Sequence, residues 1–281
     1  MVLGQKLGTK MLYDYLIKFG FGSKTGIDLN GESSGILFKL NQMGPVETAT
    51  TAFGQGVSVT PLQQVRGISA TVNGGKLYNP YILRSISEPE TNQVIHLTKP
   101  SLVGSVISEK TSNLVKHALE ATVALGTGRN AFIENYRVGG KTGTAQKVHN
   151  GAYMVGNYIL SFIGTFPADN PDYIVYVAID NPKGVTQYGG TVSAPVAKEV
   201  MLSIIDYKGY KPTKNEMLRE YFWFDKKYIW VPNVIGKDLK EARKELKGFR
   251  VEYSGSGQRV IQQTPKDTYA KEDSIVKLML N

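Results

Sequence analysis

Apolar and polar positions alternate along this chain in two periods, one helical and one extended, and the mixture predicts an α/β (α+β) fold. Lys10 to Phe19 puts Met11, Leu12, Tyr15, Leu16 and Phe19 on one face at steps of three and four, which predicts a short helix. Thr60-Pro61 predicts a second start, since a proline ring suits the first helical turn, and Asn73-Gly74-Gly75 predicts its end. From Ser108 to Leu125, Leu114, Val115, Leu119, Thr122 and Val123 recur at helical spacing, and Gly126 reads as the stop. Three extended runs follow: the stretch from Gly139, then Tyr158–Phe166, then Tyr173–Ile179 after a turn at Ala168-Asp169-Asn170-Pro171. Successive strands joined by short turns pair antiparallel, so these predict one sheet, with an amphipathic helix over Ala194–Tyr207 packed on it.

The pattern changes near residue 208, so we divide the chain into residues 1–207, a connector 208–228 and a domain 229–281. The connector is rich in lysine and aromatic residues; its Tyr221-Phe222-Trp223-Phe224 run reads as packing between domains. Beyond it, Leu239, Ala242 and Leu246 predict a helix, and Phe249–Tyr253, Val260–Gln263 and Ser274–Leu280 predict strands.

Composition narrows the field. A length of 281 residues gives room for about two domains. Zero cysteines exclude disulfides, thiol catalysis and thiolate zinc sites. No apolar run approaches a membrane span and no signal peptide leads the chain. The net charge of +9 is concentrated beyond residue 207, where sixteen basic side chains face ten acidic ones. Without a basic helix or aromatic-interleaved motif this reads as a solvated face, and a nucleic-acid partner is not expected. His96, His117 and His149 are isolated, without metal-ligand spacing, so no metal or cofactor is expected.

The candidate chemistry centres on Gly139-Gly140-Lys141-Thr142-Gly143-Thr144-Ala145-Gln146. Gly143 would let another backbone come close, Lys141 offers positive charge, and Thr142 and Thr144 offer donors to a carboxylate or carbonyl. An extended peptide could lie along such a strand. The same residues also fit a β-bulge and turn. A phosphate-binding P-loop is excluded, because its first glycine would fall on Asn135. Gly126-Thr127-Gly128-Arg129-Asn130-Ala131 mimics a dinucleotide fingerprint but follows a predicted helix instead of a strand.

This segment resembles the Lys-Thr-Gly box of penicillin-binding proteins and serine β-lactamases. Four further stretches occur in the order found in class B penicillin-binding proteins. They are Gly4-Gln5-Lys6-Leu7-Gly8; Phe19-Gly20-Phe21-Gly22 with Thr25-Gly26-Ile27-Asp28-Leu29; Phe53-Gly54-Gln55-Gly56 with Val59-Thr60-Pro61-Leu62-Gln63; and Tyr188-Gly189-Gly190 with Ala194-Pro195-Val196. Residues 230–281 resemble one PASTA domain, through Val231-Pro232-Asn233-Val234-Ile235-Gly236, the Leu-x-x-Ala helix, the Gln-x-Pro turn and the closing strand. A single copy is reminiscent of sporulation-type members.

The resemblance implies a serine D,D-transpeptidase that cross-links peptidoglycan stem peptides through an acyl-enzyme, takes β-lactams as substrate mimics, and works outside the bacterial cell membrane beside a glycosyltransferase. Lys141 would act electrostatically and in proton traffic. Thr142 and Thr144 would bind the substrate carboxylate, with the Thr144 N–H as half of an oxyanion hole. Gly54, Gln55, Gly56, Tyr188, Gly189 and Gly190 would border the cleft with Gly143; tight loop geometry accounts for the glycines equally well. In the family the nucleophile's Ser-x-x-Lys box and a Ser-x-Asn box lie upstream of the stretch that begins here at Gly4. The sole Ser-x-x-Lys present, Ser274-Ile275-Val276-Lys277, falls in the C-terminal domain, and Ser112-Asn113 has no intervening residue. The chain alone is therefore expected to be inactive; the alternative is a non-catalytic wall-binding or scaffolding protein.

Overall fold

Fifteen consecutive residues with no proline, rich in β-branched and aromatic side chains, make the strand around which the first unit is built. The computed structural model describes residues 1–149, 151–219 and 227–281. It divides into two units, Met1–Phe132 with Tyr136–Leu218, and Ile133–Asn135 with Arg219–Asn281. The Tyr221–Phe224 cluster lies outside the described residues.

The first unit opens with α1 (Val2–Leu7), α2 (Thr9–Lys18), α3 (Pro45–Thr51) and α4 (Pro61–Val72). As expected, α4 starts at Thr60-Pro61: the Thr60 hydroxyl accepts the Gln63 N–H at 3.1 Å while Gln63 Oε1 accepts the Thr60 N–H at 2.9 Å. A further section holds β1 (Lys76–Asn79), β2 (Ser85–Ser87), β3 (Val94–Leu97) and β4 (Ser101–Ser105), paired β1 with β4 and β2 with β3. The hydrophobic pattern predicts none of these four short strands, since too few residues alternate in each to register as a period. Then come α5 (Glu109–Ala124), β5 (Gly139–His149), β6 (Ala152–Phe166), β7 (Tyr173–Asp180) and α6 (Gly189–Lys208). The sheet has the order β5-β6-β7, all antiparallel, as expected. Helix α6 packs on it; Leu160 and Phe162 of β6 and Ala197 and Met201 of α6 are fully buried.

Three helical expectations need correction. In α5, the spacing puts Leu114 on the packed face, but it is 64% exposed, whereas Ser112 and Glu120 are buried beside Leu119 and Val123. Polar residues hold that stripe because they have partners: the Ser112 hydroxyl donates to Thr71 O at 2.8 Å and accepts the Gly74 N–H at 3.0 Å. Glu120 receives the Arg137 guanidinium in two hydrogen bonds of 2.9 and 2.6 Å. In α2 no side chain is fully buried, and Met11 and Tyr15 are exposed. Helix α6 begins five residues before Ala194, taking in Gly189 and Gly190 and leaving Pro195 inside it. As the seventh residue of this helix, Pro195 has no N–H to give the Thr191 carbonyl and crowds it, and the packing of the helix on the sheet overrides that loss.

The second unit holds β8 (Tyr228–Val231), α7 (Leu239–Glu245), β9 (Arg250–Ser254), β10 (Val260–Thr264), β11 (Thr268–Lys271) and β12 (Ile275–Leu280). Strand β12 lies between β10, antiparallel, and β9, parallel; β8 pairs with β11. Val276, Leu278 and Leu280 alternate inward and meet Val231, Val234, Ala242, Leu246 and Val260 in one core. Gln263 is buried yet satisfied: Oε1 accepts the Val234 N–H at 2.8 Å, and Nε2 donates to Pro232 O at 2.8 Å and Pro265 O at 3.0 Å. The Val-Pro opening and the Gln-x-Pro turn are thus one interlocked structure.

Candidate active-site edge

Strand β5 lies at the edge of its sheet, so one row of its backbone donors and acceptors faces away from β6. Its side chains divide between two faces. Lys141, Gly143 and Ala145 pair with Ile163, Ser161 and Ile159, and Thr142 and Thr144 pair with Phe162 and Leu160. Directly opposed residues share a face. The lysine and the two threonines therefore straddle the strand, with the open edge between them.

The threonine side is closed by the first turn of α6. The Gly189 N–H donates to Thr144 Oγ1 at 3.2 Å. A Cβ on Gly189 would sit 2.3 Å from Ser161 O and 2.4 Å from Gly143 O; on Gly190 it would sit 2.3 Å from Thr127 O. Only glycines let the helix end lie this close to β5. Thr142 Oγ1 is 2.9 Å from the hydroxyl of Thr127, in the turn after α5, a contact with no signal in the sequence. Lys141 Nζ donates to Thr142 O at 2.8 Å.

The lysine side opens on a cavity of about 400 Å³ between the sheet and the α2–α4 region. Gly54, Gln55, Gly143 and Thr144 line it together, with Ser161 and Tyr176 of the sheet, which no sequence motif marks. Ser161 is the cross-strand partner of Gly143, so only the strand register reveals it. Gly56 is placed differently: its φ is +77°, and a Cβ there would stand 3.0 Å from the Phe38 ring, which ties it to loop shape. Tyr188 is exposed at the α6 N-terminus.

Other motif residues act as clamps. Asp28 accepts the N–H groups of Ile82 and Leu83 at 2.8 and 2.7 Å, and these bonds, Leu83 foremost, hold its carboxyl below the usual range. Gln63 Nε2 donates to Ser23 O at 2.6 Å and Ser34 O at 2.9 Å. Ser274 precedes β12 and Lys277 lies within it. Side chains three apart share a face in a helix, and this Ser-x-x-Lys runs instead into extended backbone, without the helical placement that would align the pair.

An edge strand bearing Lys-Thr-Gly-Thr thus stands against a glycine-tipped helix, with a cavity beside it. The chain belongs to the penicillin binding protein transpeptidase domain family, which matches residues 1–202, and residues 230–281 match the PASTA domain. It is 52% identical over 279 residues, 99% of its length, to stage V sporulation protein D of Bacillus subtilis, covering 43% of that protein. It is 34% identical over 207 residues, 73% of its length, to peptidoglycan D,D-transpeptidase FtsI of Buchnera aphidicola, covering 34% of that protein. The chain thus spans less than half the length of these curated relatives. Among solved structures, penicillin binding protein 3 of Mycobacterium tuberculosis complexed with ampicillin matches 78% of this chain and 51% of its own at 29% identity, with a TM-score of 0.70.

Proposed function

We propose that this chain forms the C-terminal part of the catalytic domain, with one PASTA domain, of a serine D,D-transpeptidase that cross-links peptidoglycan stem peptides through an acyl-enzyme. The observation that carries the reading is the edge strand β5, with Lys141 on one face and Thr142 and Thr144 on the other. A stem peptide lies along that edge; Thr142 and Thr144 hold its terminal carboxylate, and Lys141 supplies positive charge and a path for protons. The Thr144 N–H is one oxyanion donor, a kind of contact that lowers a barrier by about 3 kcal/mol. Gly54, Gln55, Tyr188, Gly189 and Gly190 border the cleft.

The acylated serine comes from a Ser-x-x-Lys segment outside these 281 residues, and the cavity beside Thr144 is its seat. In support, the Thr51 hydroxyl on the cavity wall is buried without a partner among the described residues. The parent protein works on the outer face of the cell membrane, on lipid-linked precursor, beside a membrane glycosyltransferase. The 52% identity to a stage V sporulation protein favours a role in spore formation.

Fluorescent penicillin separates the readings. The 281-residue chain is expected to take no covalent label on a denaturing gel or by intact mass, while a longer product of the same gene carrying Ser-x-x-Lys takes one equivalent. Label on the short chain places the nucleophile within it. An unlabelled longer product favours a non-catalytic wall-binding protein.

A further inference from the structure

We infer that Thr127 is a positioning residue for the hydroxyl of Thr142, an inference that rests on reading β5 as the strand that takes the ligand's carboxylate. The two hydroxyl oxygens are 2.9 Å apart, and either can donate. A hydroxyl has one proton and two lone pairs. If Thr142 gives its proton to Thr127, it has none for an anion. If Thr127 donates, one lone pair of Thr142 is occupied and its proton is free to turn to the open edge. A bound carboxylate selects the second arrangement, and each bond in the resulting chain polarises the next.

The turn that carries Thr127 is held from three sides. The Gly128 N–H donates to Thr122 O at 3.0 Å, and the Ala131 N–H to Gly128 O at 2.8 Å. Asn130 Nδ2 donates to Gly190 O at 2.8 Å, in the first turn of α6. The Thr127 carbonyl itself lies against Gly190, which has no room there for a Cβ. Thr127 is nonetheless exposed, so its side chain fills no core, and a valine of the same shape removes little but the hydroxyl. Three elements thus converge on one hydroxyl pair: the end of α5, the centre of β5 and the start of α6.

The test titrates the isotopically labelled 281-residue chain with acetyl-D-alanyl-D-alanine and with its C-terminal amide, following the Thr142 and Thr144 amide signals. Thr127→Val is expected to weaken binding of the acid about tenfold, the scale of one hydrogen bond to a charged group, and to leave the amide unchanged. Thr127→Ser is expected to bind the acid within about twofold of wild type, since it keeps the donor. Thr142→Val combined with Thr127→Val should be no weaker for the acid than Thr142→Val alone, because the two act as one unit. Equal weakening of acid and amide, no effect of Thr127→Val, or a wild type with no preference for the acid each overturns the inference. The penicillin experiment reports separately: a longer product that takes no label removes the transpeptidase reading while the acid–amide pattern still decides the role of Thr127.

Discussion

Asp28, Gln63 and Arg137 are polar residues whose value lies in what they hold, and each acts through backbone or charge partners far off in sequence. Asp28 fastens the segment before β2 through the Ile82 and Leu83 amides. Because those bonds lower its pKa, their contribution is present above the ordinary carboxylate range and is lost as pH falls through the lowered value. We expect the protection of the Ile82 and Leu83 amides, taken relative to the intrinsic exchange rate at each pH, to fall on acidification before that of the sheet amides, and Asp28→Asn to show low protection already near neutral pH. Protection unchanged by that substitution would count against the clamp. None of this is legible in Thr25-Gly26-Ile27-Asp28-Leu29, because a capping carboxylate is defined by amides that lie 54 and 55 residues on.

Among the elements, α6 decides the geometry of the site. Its apolar stripe is readable in the sequence, but its true start is not: Gly189, Gly190 and Pro195 are poor helix formers, so propensity argues against them. Packing overrides propensity there, since the helix end must reach Gly143 and Thr144 with no side chain between. Gly189→Ala would force a Cβ against two backbone oxygens, which cannot give way as a side-chain tip can. We expect a loss of about 2 kcal/mol in stability, the usual scale of overpacking, and displaced Thr144 amide and hydroxyl signals. Full stability with unshifted signals would mean that the helix end stands further off. Helix α5 teaches the converse lesson. Its period is right, but hydrophobicity picks Leu114 where Glu120 is buried, 4% exposed, because Arg137, from beyond the helix, neutralises it.

Among the described residues, the first unit buries side chains on the β5-β6-β7 sheet and, in a separate cluster, Ala70, Leu77 and Val106, while the second has its core around β12. Their weak points differ. Arg137 joins Glu120, Asp169 and Glu216, and the hydrogen bonds to Glu120 together with the neighbouring carboxylates hold its guanidinium protonated. Arg137→Ala leaves Glu120 buried and unpaired, at a cost of about 3 kcal/mol. Gln263→Leu leaves the buried Val234 N–H without an acceptor, at about 1–3 kcal/mol. Calorimetry is expected to resolve two transitions, with Arg137→Ala lowering one and Gln263→Leu the other. Both substitutions lowering the same transition would show that the units unfold together.

Local, repetitive features follow from the chain's own pattern: the three long strands, α4 with its Thr-Pro start, the alternation of β12, and the ordered motifs that mark the family. Each depends on neighbours in the chain, so periodicity and short motifs record it. Folding in three dimensions settles the rest: which faces meet, that Lys141 and Thr142 straddle an open edge, that Ser161 stands opposite Gly143, and that Thr127 meets Thr142. These depend on register and on close approach between elements remote in the chain, where the free energy comes from partners that no local pattern contains.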